Sequence, residues 1–163
     1  AGRLPPSPAG GIDRVALVAF LTVALGGLGC AAGGWISRRA GERRVALVCL
    51  VASAACCLLS AAAFDLAAPA LVAFILFWGV VVVADSPQFS ALAARYCPPE
   101  YTGTAFTVQN GVGFAVTLFS IQLLPLLAAR VGWRFTFLAL APGPLFGAWA
   151  MARLGRLRGA VGQ

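Results

Sequence analysis

The chain has 163 residues, of which 61% are hydrophobic and only 10% are charged, and its mean hydropathy is +0.91. A soluble domain of this length has about a quarter of its residues charged, so the composition excludes an ordinary soluble fold and indicates a chain whose solvent is lipid. The formal net charge of +7 does not indicate a nucleic-acid-binding protein, because the arginines lie at the ends of apolar runs and not in one stripe.

The first residues, 1–14, contain Pro and Gly but no apolar h-region, so we interpret them as an extracytoplasmic loop and not as a signal peptide. The apolar runs that follow cover residues 15–36, 45–64, 69–94, 103–129 and 133–152. Each run can cross a hydrocarbon core of about 30 Å as a helix, and an open strand would leave backbone groups unpaired in lipid. The sequence therefore predicts an all-α integral membrane protein with five transmembrane helices in residues 15–152.

The distribution of arginine predicts the direction of the five spans. One side of the membrane would carry eight arginines: Arg38, Arg39, Arg43, Arg44, Arg95, Arg153, Arg156 and Arg158. The other side would carry four: Arg3, Arg14, Arg130 and Arg134. Since the arginine-rich side faces the cytoplasm, we expect an outside N-terminus and a cytoplasmic tail at residues 153–163, in the cytoplasmic (inner) membrane.

Small residues and prolines indicate how the spans pack and bend. Two GxxxG pairs are present, Gly29 with Gly33 and Gly143 with Gly147. Such pairs let helix backbones approach closely in lipid, where the hydrophobic effect does not drive association. Pro142 and Pro144 lie near the centre of the fifth span, so this helix is predicted to be kinked.

The segment GGWISRRAGERR, residues 33–44, predicts a tight basic hairpin between the first two spans. Its spacing also resembles the signature loop of the major facilitator superfamily, G-x-x-x-D-R-x-G-R-R/K. The matching positions are Gly34, Arg39, Gly41 and Arg43. The sequence departs from the pattern at Arg38, which replaces the Asp, and at Glu42, which replaces a basic residue, and these changes put a charge-relay role for the loop in doubt.

This resemblance implies a particular place in a twelve-helix fold. The first span, the loop and the four spans after it resemble helices eight to twelve of such a transporter, which makes the N-terminal half of the same polypeptide a missing partner. The segments ADSPQFSAL and GTAFTVQNGVGF are weakly similar to the nitrate/nitrite and cyanate permease branch. The implied function is secondary active transport of a small solute or ion by alternating access, with proton coupling left open and no cofactor.

Four polar residues lie deep in the predicted spans. Asp85 stands ten residues before Arg95, which places it about 15 Å along the helix from the cytoplasmic end. Gln88 shares its helix face, and Gln109 and Asn110 enter the fourth span from the same side to a similar depth. Charged residues at such depth face a cavity or a partner, so Asp85, Gln88, Gln109 and Asn110 form a predicted substrate- or proton-binding site.

Structural alternatives exist for the same residues. Asp85 precedes Ser86 and Pro87, a helix-start pattern, so it is also a candidate cap for a broken helix, and the two functions do not exclude each other. Gln88 and Gln109 could bond across two packed helices without touching a solute. The whole chain could instead be a non-transporting five-helix scaffold or channel subunit that acts as an oligomer through its glycine pairs.

An enzymatic function is not expected from this sequence. The chain has no His, no carboxylate pair and no cluster of residues with metal-ligand spacing, so neither a metal nor a catalytic constellation is predicted. Its five cysteines form no CxxC pair, and four of them lie inside apolar runs, where Cys behaves as a small hydrophobe. The expected partners are therefore the lipid bilayer and a small solute or ion, and not nucleic acid.

Overall fold

A computed structural model describes residues 13–161, with side chains as far as Arg156. The helices in chain order are α1 (Arg14–Ala40), α2 (Glu42–Ala63), α3 (Ala68–Ala84), α4 (Ser86–Tyr96), α5 (Thr102–Val131), α6 (Trp133–Thr136) and α7 (Pro142–Val161). Short 3-10 turns occupy Pro99–Tyr101 and Phe137–Leu140. The predicted loop at residues 1–14 lies almost entirely outside the described residues.

Five helical stretches within residues 13–161 are long and apolar enough to cross a membrane: Arg14–Ala40, Glu42–Ala63, Ala68–Tyr96, Pro99–Val131 and Trp133–Arg156. This number confirms the predicted five spans and the all-α fold class. Most of the helices extend a few residues past the predicted runs, and the last stretch continues beyond residue 152 to Arg156. The predicted tail accordingly begins as a continuation of α7.

Two of the spans are interrupted where the sequence predicts a break. The third span divides at Asp85 into α3 and α4, and Pro87 lies in the first turn of α4. The fifth span changes from α6 through a 3-10 turn to α7 at Ala141, directly before Pro142. Proline lacks a backbone donor and clashes with the preceding turn, which is why both interruptions fall just before a proline.

The closest helix crossing in the bundle joins α1 to α3. Its register runs from Thr22 beside Gly79 to Gly33 beside Ala84, so the two helices are parallel. A Cβ placed on Gly29 would lie 3.0 Å from the carbonyl oxygen of Val80. The first GxxxG pair therefore packs inside the chain, as the small-residue spacing predicts.

Helix α2 is the centre of the bundle and contacts α1, α3, α4, α6 and α7. Its buried residues are small or apolar: Ala46, Leu50, Ser53, Ala54, Cys56, Cys57, Ser60 and Ala63. Gly147 of the second GxxxG pair lies against Leu50, whereas a Cβ on Gly143 would meet no atom within 4 Å. In the second GxxxG pair, therefore, only Gly147 packs against another helix of the described chain.

An ion pair marks each end of α2. Arg95 at the end of α4 donates to Glu42 at 3.1 Å, and Arg134 in α6 forms a bidentate pair with Asp65. Glu42 begins α2 and Asp65 follows its end, so the two pairs lie at opposite membrane surfaces. Each pair joins connections that the predicted topology places on one side of the membrane.

Helix α5 is the least covered element of the bundle. Its main contacts are with α4, α6 and the turn Pro99–Tyr101, and Ala128 is its one buried residue. The surface it leaves open contains polar and glycine positions as well as apolar ones. An exposed polar surface at membrane depth requires water or a further helix, because lipid tails cannot hydrogen-bond.

Candidate functional site

A cleft of about 470 Å³ opens between α4 and α5. Its polar lining comes from Ser86, Ser90, Gln109, Asn110 and Thr117. Its apolar lining comes from Phe89, Leu92, Gly113, Phe114 and, from α7, Met151. A mixed lining with a few convergent polar groups is typical of a small-molecule site.

The two predicted amides of α5 both line this cleft. Gln109 is half-buried and Asn110 is exposed, and neither side chain has a hydrogen-bond partner in the described part of the chain. Thr107, Thr117 and Ser120 instead donate to carbonyls one turn back in their own helix, at 2.8–3.0 Å. Gln109 and Asn110 are therefore the polar groups of α5 in this cleft that are free to bind a ligand.

Asp85 lies just behind the cleft and is not one of its lining residues. The Ser86 hydroxyl, which does line the cleft, donates to Oδ1 of Asp85 at 3.4 Å. Asp85 takes part in neither of the two ion pairs found in residues 13–161. Asp85 itself is half-buried, between the buried Ala84 and the exposed Ser86.

The alternative function of Asp85 as a helix cap is only partly realised. The backbone carbonyl of Asp85 accepts from the N–H groups of Gln88 and Phe89 at 3.0 and 3.3 Å, which starts α4. Its side chain makes no capping hydrogen bond. The Asp85 carboxylate therefore does not hydrogen-bond to the backbone N–H groups at the start of α4 and is free to bind a proton or a solute.

Gln88 is placed away from the other amides. It is 1% exposed and lies in the contact between α4 and α1. A Cβ added to Gly33 would lie 3.3 Å from Nε2 of Gln88. This Nε2 has no hydrogen-bond partner among the described residues. Gln109 and Asn110 therefore share the cleft, whereas Gln88 lies in a helix contact on another face of α4.

The signature loop folds into the ends of α1 and α2 with Gly41 alone between them. Gly41 has φ +86°, a value that favours glycine, and its N–H donates to Ser37 O at 2.8 Å. Arg39 lies over the Trp35 ring at 5.1 Å, and the Arg43 guanidinium contacts the carbonyl of Met151 at 3.5 Å. The loop residues therefore connect α1, α2 and α7, although Gly34 lies against open space.

Sequence reasoning did not select the remaining lining residues of the cleft. Phe89 and Phe114 are ordinary apolar residues of a membrane helix, and Ser90 is a single hydroxyl in an Ala-rich segment. The sequence pattern that could have identified the α4 residues is their spacing: Ser86, Phe89 and Ser90 lie three to four residues apart, on one face of the helix. Using this spacing would have required knowing that this face of α4 packs against α5.

These features define the class of the protein as a multi-pass membrane protein with a cleft of mixed lining between two of its helices. A scan against protein-family models matched the Major Facilitator Superfamily over residues 10–161. The chain belongs to this superfamily, which is of transporter type and whose members bind small solutes. Comparisons with curated proteins and with solved structures gave no match.

Proposed function

We propose that the chain is the second half of a twelve-helix secondary active transporter and that the α4–α5 cleft is part of its solute path. The observation that carries this proposal is the pair of unpartnered amides, Gln109 and Asn110, in a cleft at membrane depth. An amide that faces lipid loses its hydrogen bonds to water without replacement, which costs several kcal/mol. The exposed Asn110 amide avoids this cost if the cleft holds water or a solute that hydrogen-bonds to it.

The proposal assigns proton coupling to Asp85. A carboxyl in the middle of a membrane span is a common proton site in transporters, and Asp85 has no cationic partner among the described residues. Ser86 connects it to the cleft, because its hydroxyl donates either to Asp85 or to a bound solute. Solute binding at Ser86 would remove a hydrogen bond from the carboxylate and favour its protonation.

The open surface of α5 supports further helices beyond the five described. Residues 111–119 of α5 are all exposed, including Gly111 and Gly113, beside which a helix backbone could approach closely. This is what helices eight to twelve would present to the rest of a twelve-helix fold, with the N-terminus outside and the C-terminus in the cytoplasm. Alternating access would then follow from rocking one half against the other.

The scaffold alternative receives less support from the packing. It requires glycine pairs that are free for self-association, but Gly29 and Gly33 lie against α3 and Gly147 lies against α2. Of these four glycines Gly143 alone remains open, so the two GxxxG pairs do not provide a free helix-pairing face. We therefore retain transport as the function.

The first experiment is to sequence the gene upstream of the codon for Ala1 and to express the complete reading frame. About seven further apolar spans with a second glycine–arginine loop are expected. A start codon directly before Ala1 would contradict the twelve-helix assignment.

The second experiment measures uptake of labelled neutral, cationic and anionic solutes into proteoliposomes that contain the complete protein. Gln109→Ala is expected to lower uptake of the transported solute, whereas Gln122→Ala is the control, since Gln122 is an exposed amide of α5 outside the cleft. Asp85→Asn is expected to abolish the dependence of uptake on a proton gradient. Unchanged rate, affinity and pH dependence in Asp85→Asn would remove this residue from the mechanism.

A further inference from the structure

The lining of the α4–α5 cleft is mostly apolar, and its polar groups include no ionisable side chain among the residues that the structure describes. Its polar groups are three hydroxyls and two amides, those of Ser86, Ser90, Thr117, Gln109 and Asn110. The ion-paired arginines Arg95 and Arg134 lie at the ends of their spans. An anionic solute in this part of the cleft would therefore have no counter-charge on the wall, and the nearest ionisable group, Asp85 behind Ser86, is itself acidic.

This wall disfavours an ion more than a neutral polar solute. Moving an ion from water to a site of low dielectric is expensive unless an opposite charge or several strong hydrogen bonds compensate for it. Neutral polar solutes bear a much smaller cost, which two amides can offset by hydrogen bonding. The nitrate/nitrite and cyanate resemblance implies anions, and nothing on this wall provides the cation that anion recognition usually uses.

The hydrogen-bonding groups of the cleft are complementary in type. Each amide offers a carbonyl acceptor and an NH₂ donor, and Gln109 and Asn110 are adjacent in α5. The hydroxyl of Ser90 on α4 has no partner in the described part of the chain, so it can add a donor or an acceptor from the opposite wall. A solute that fits all three groups must itself carry both donors and acceptors.

Aromatic rings line the same cleft from both helices. Phe89 projects from α4 and Phe114 from α5, and Phe114 is 70% exposed in spite of its size. Rings on two walls favour a flat solute, because a planar π-system stacks on aromatic faces with little loss of conformational freedom. The aromatic and polar lining residues of the cleft therefore favour a planar molecule with polar edges.

We propose that the solute is an uncharged planar heterocycle with amide-like donors and acceptors on its edge. This proposal rests on the assignment of the cleft to the solute path. The ring would lie between Phe89 and Phe114, while Gln109 and Asn110 bind the polar edge. Ser86 would sense the occupied state and transmit it to Asp85 through the shared hydrogen bond.

The test compares three planar probes that differ in charge: uracil, which is neutral, nitrate, which is an anion, and guanidinium, which is a cation. Binding of each labelled probe is measured by equilibrium dialysis on the protein expressed from its complete reading frame in lipid nanodiscs, with empty nanodiscs as the blank. We expect saturable binding of uracil that excess nitrate and guanidinium do not displace.

Variants connect that binding to the cleft. Asn110→Ala and Gln109→Ala are each expected to weaken uracil binding about fivefold, the effect of one hydrogen bond to a neutral group. Phe114→Leu is expected to weaken it by at least about fivefold through the loss of stacking. Gln122→Ala should leave it unchanged, because this amide lies outside the cleft. Circular dichroism and gel filtration of each variant verify that the fold is retained.

The outcomes separate this proposal from the function on which it rests. Binding of nitrate or guanidinium that depends on Gln109 and Asn110 would overturn the neutral class and keep the cleft as the solute site. Failure of all three probes would also overturn the class, and the proposed function would still stand if another solute of the uptake panel depends on Gln109. If no solute depends on these amides, both proposals fail.

Discussion

The crossing of α1 and α3 gives a sharp test of the packing through two nearby glycines. Gly29 and Gly27 lie in the same helix, but their surroundings differ. A Cβ on Gly29 would lie 2.9 Å from Cγ1 of Val80 and 3.0 Å from its carbonyl oxygen. A Cβ on Gly27 would meet no heavy atom within 4 Å. Gly27→Ala is therefore the control for Gly29→Ala.

The magnitude follows from two opposing terms. Alanine gains up to about 1 kcal/mol over glycine in a helix interior, and this gain applies at both positions. Overpacking costs about 1–3 kcal/mol, and it applies only to Gly29, where a backbone oxygen cannot move aside as a side chain can. The difference between the two variants isolates the packing cost, so we expect Gly29→Ala to be about 1–3 kcal/mol less stable than Gly27→Ala.

The assay is reversible unfolding in mixed micelles at increasing mole fraction of sodium dodecyl sulfate, followed by far-ultraviolet circular dichroism. Wild type and both variants are measured under identical conditions, and their free energies of unfolding are compared. Equal free energies for the two variants would mean that α1 and α3 are not in contact at Gly29. That result would refute the parallel register described above.

Three further predictions concern the loop and the buried amide. Gly41→Ala should lower the free energy of unfolding by about 1–3 kcal/mol, because φ +86° strains any other residue, whereas Gly34→Ala, in open space at negative φ, should not. A double-mutant cycle on Glu42 and Arg95 should give a coupling of only about 0–1 kcal/mol, since the pair is exposed and screened by water. Gln88→Met should raise the melting temperature, because it removes a buried amide nitrogen that has no hydrogen-bond partner among the described residues. If this variant also loses solute uptake, the predicted binding function of Gln88 is supported.

Much of the fold could be predicted from the sequence because lipid imposes strong rules on it. The five spans follow from apolar length, and the interruptions at Asp85 and Ala141 follow from the prolines after them. The packing of Gly29 and Gly33 follows from their spacing, although the sequence could not name α3 as the partner. The helix ends were harder to predict, because most of the helices continue for a few residues beyond their apolar runs.

The site was less predictable because it depends on which helices meet. Gln109 and Asn110 enter the cleft because α5 leans against α4, a pairing that periodicity alone does not specify. Gln88 is three residues from Asp85, yet a rotation of about 60° around the helix axis is enough to turn it towards Gly33 of α1. The predicted binding function of all four residues stays a prediction, with Gln109 and Asn110 best placed for it.

The two glycines with positive φ also have a mechanical consequence. Gly41 alone joins α1 to α2 at one membrane surface, and Gly132 alone joins α5 to α6 at the other. Helix ends linked through one residue cannot separate by more than about 7.6 Å, the length of two Cα steps. Each glycine is therefore a short tether that permits swivelling but not separation. The connection from α4 to α5, residues 97–101, is five residues long and includes a 3-10 turn, so it allows these helix ends to lie further apart than either single glycine does.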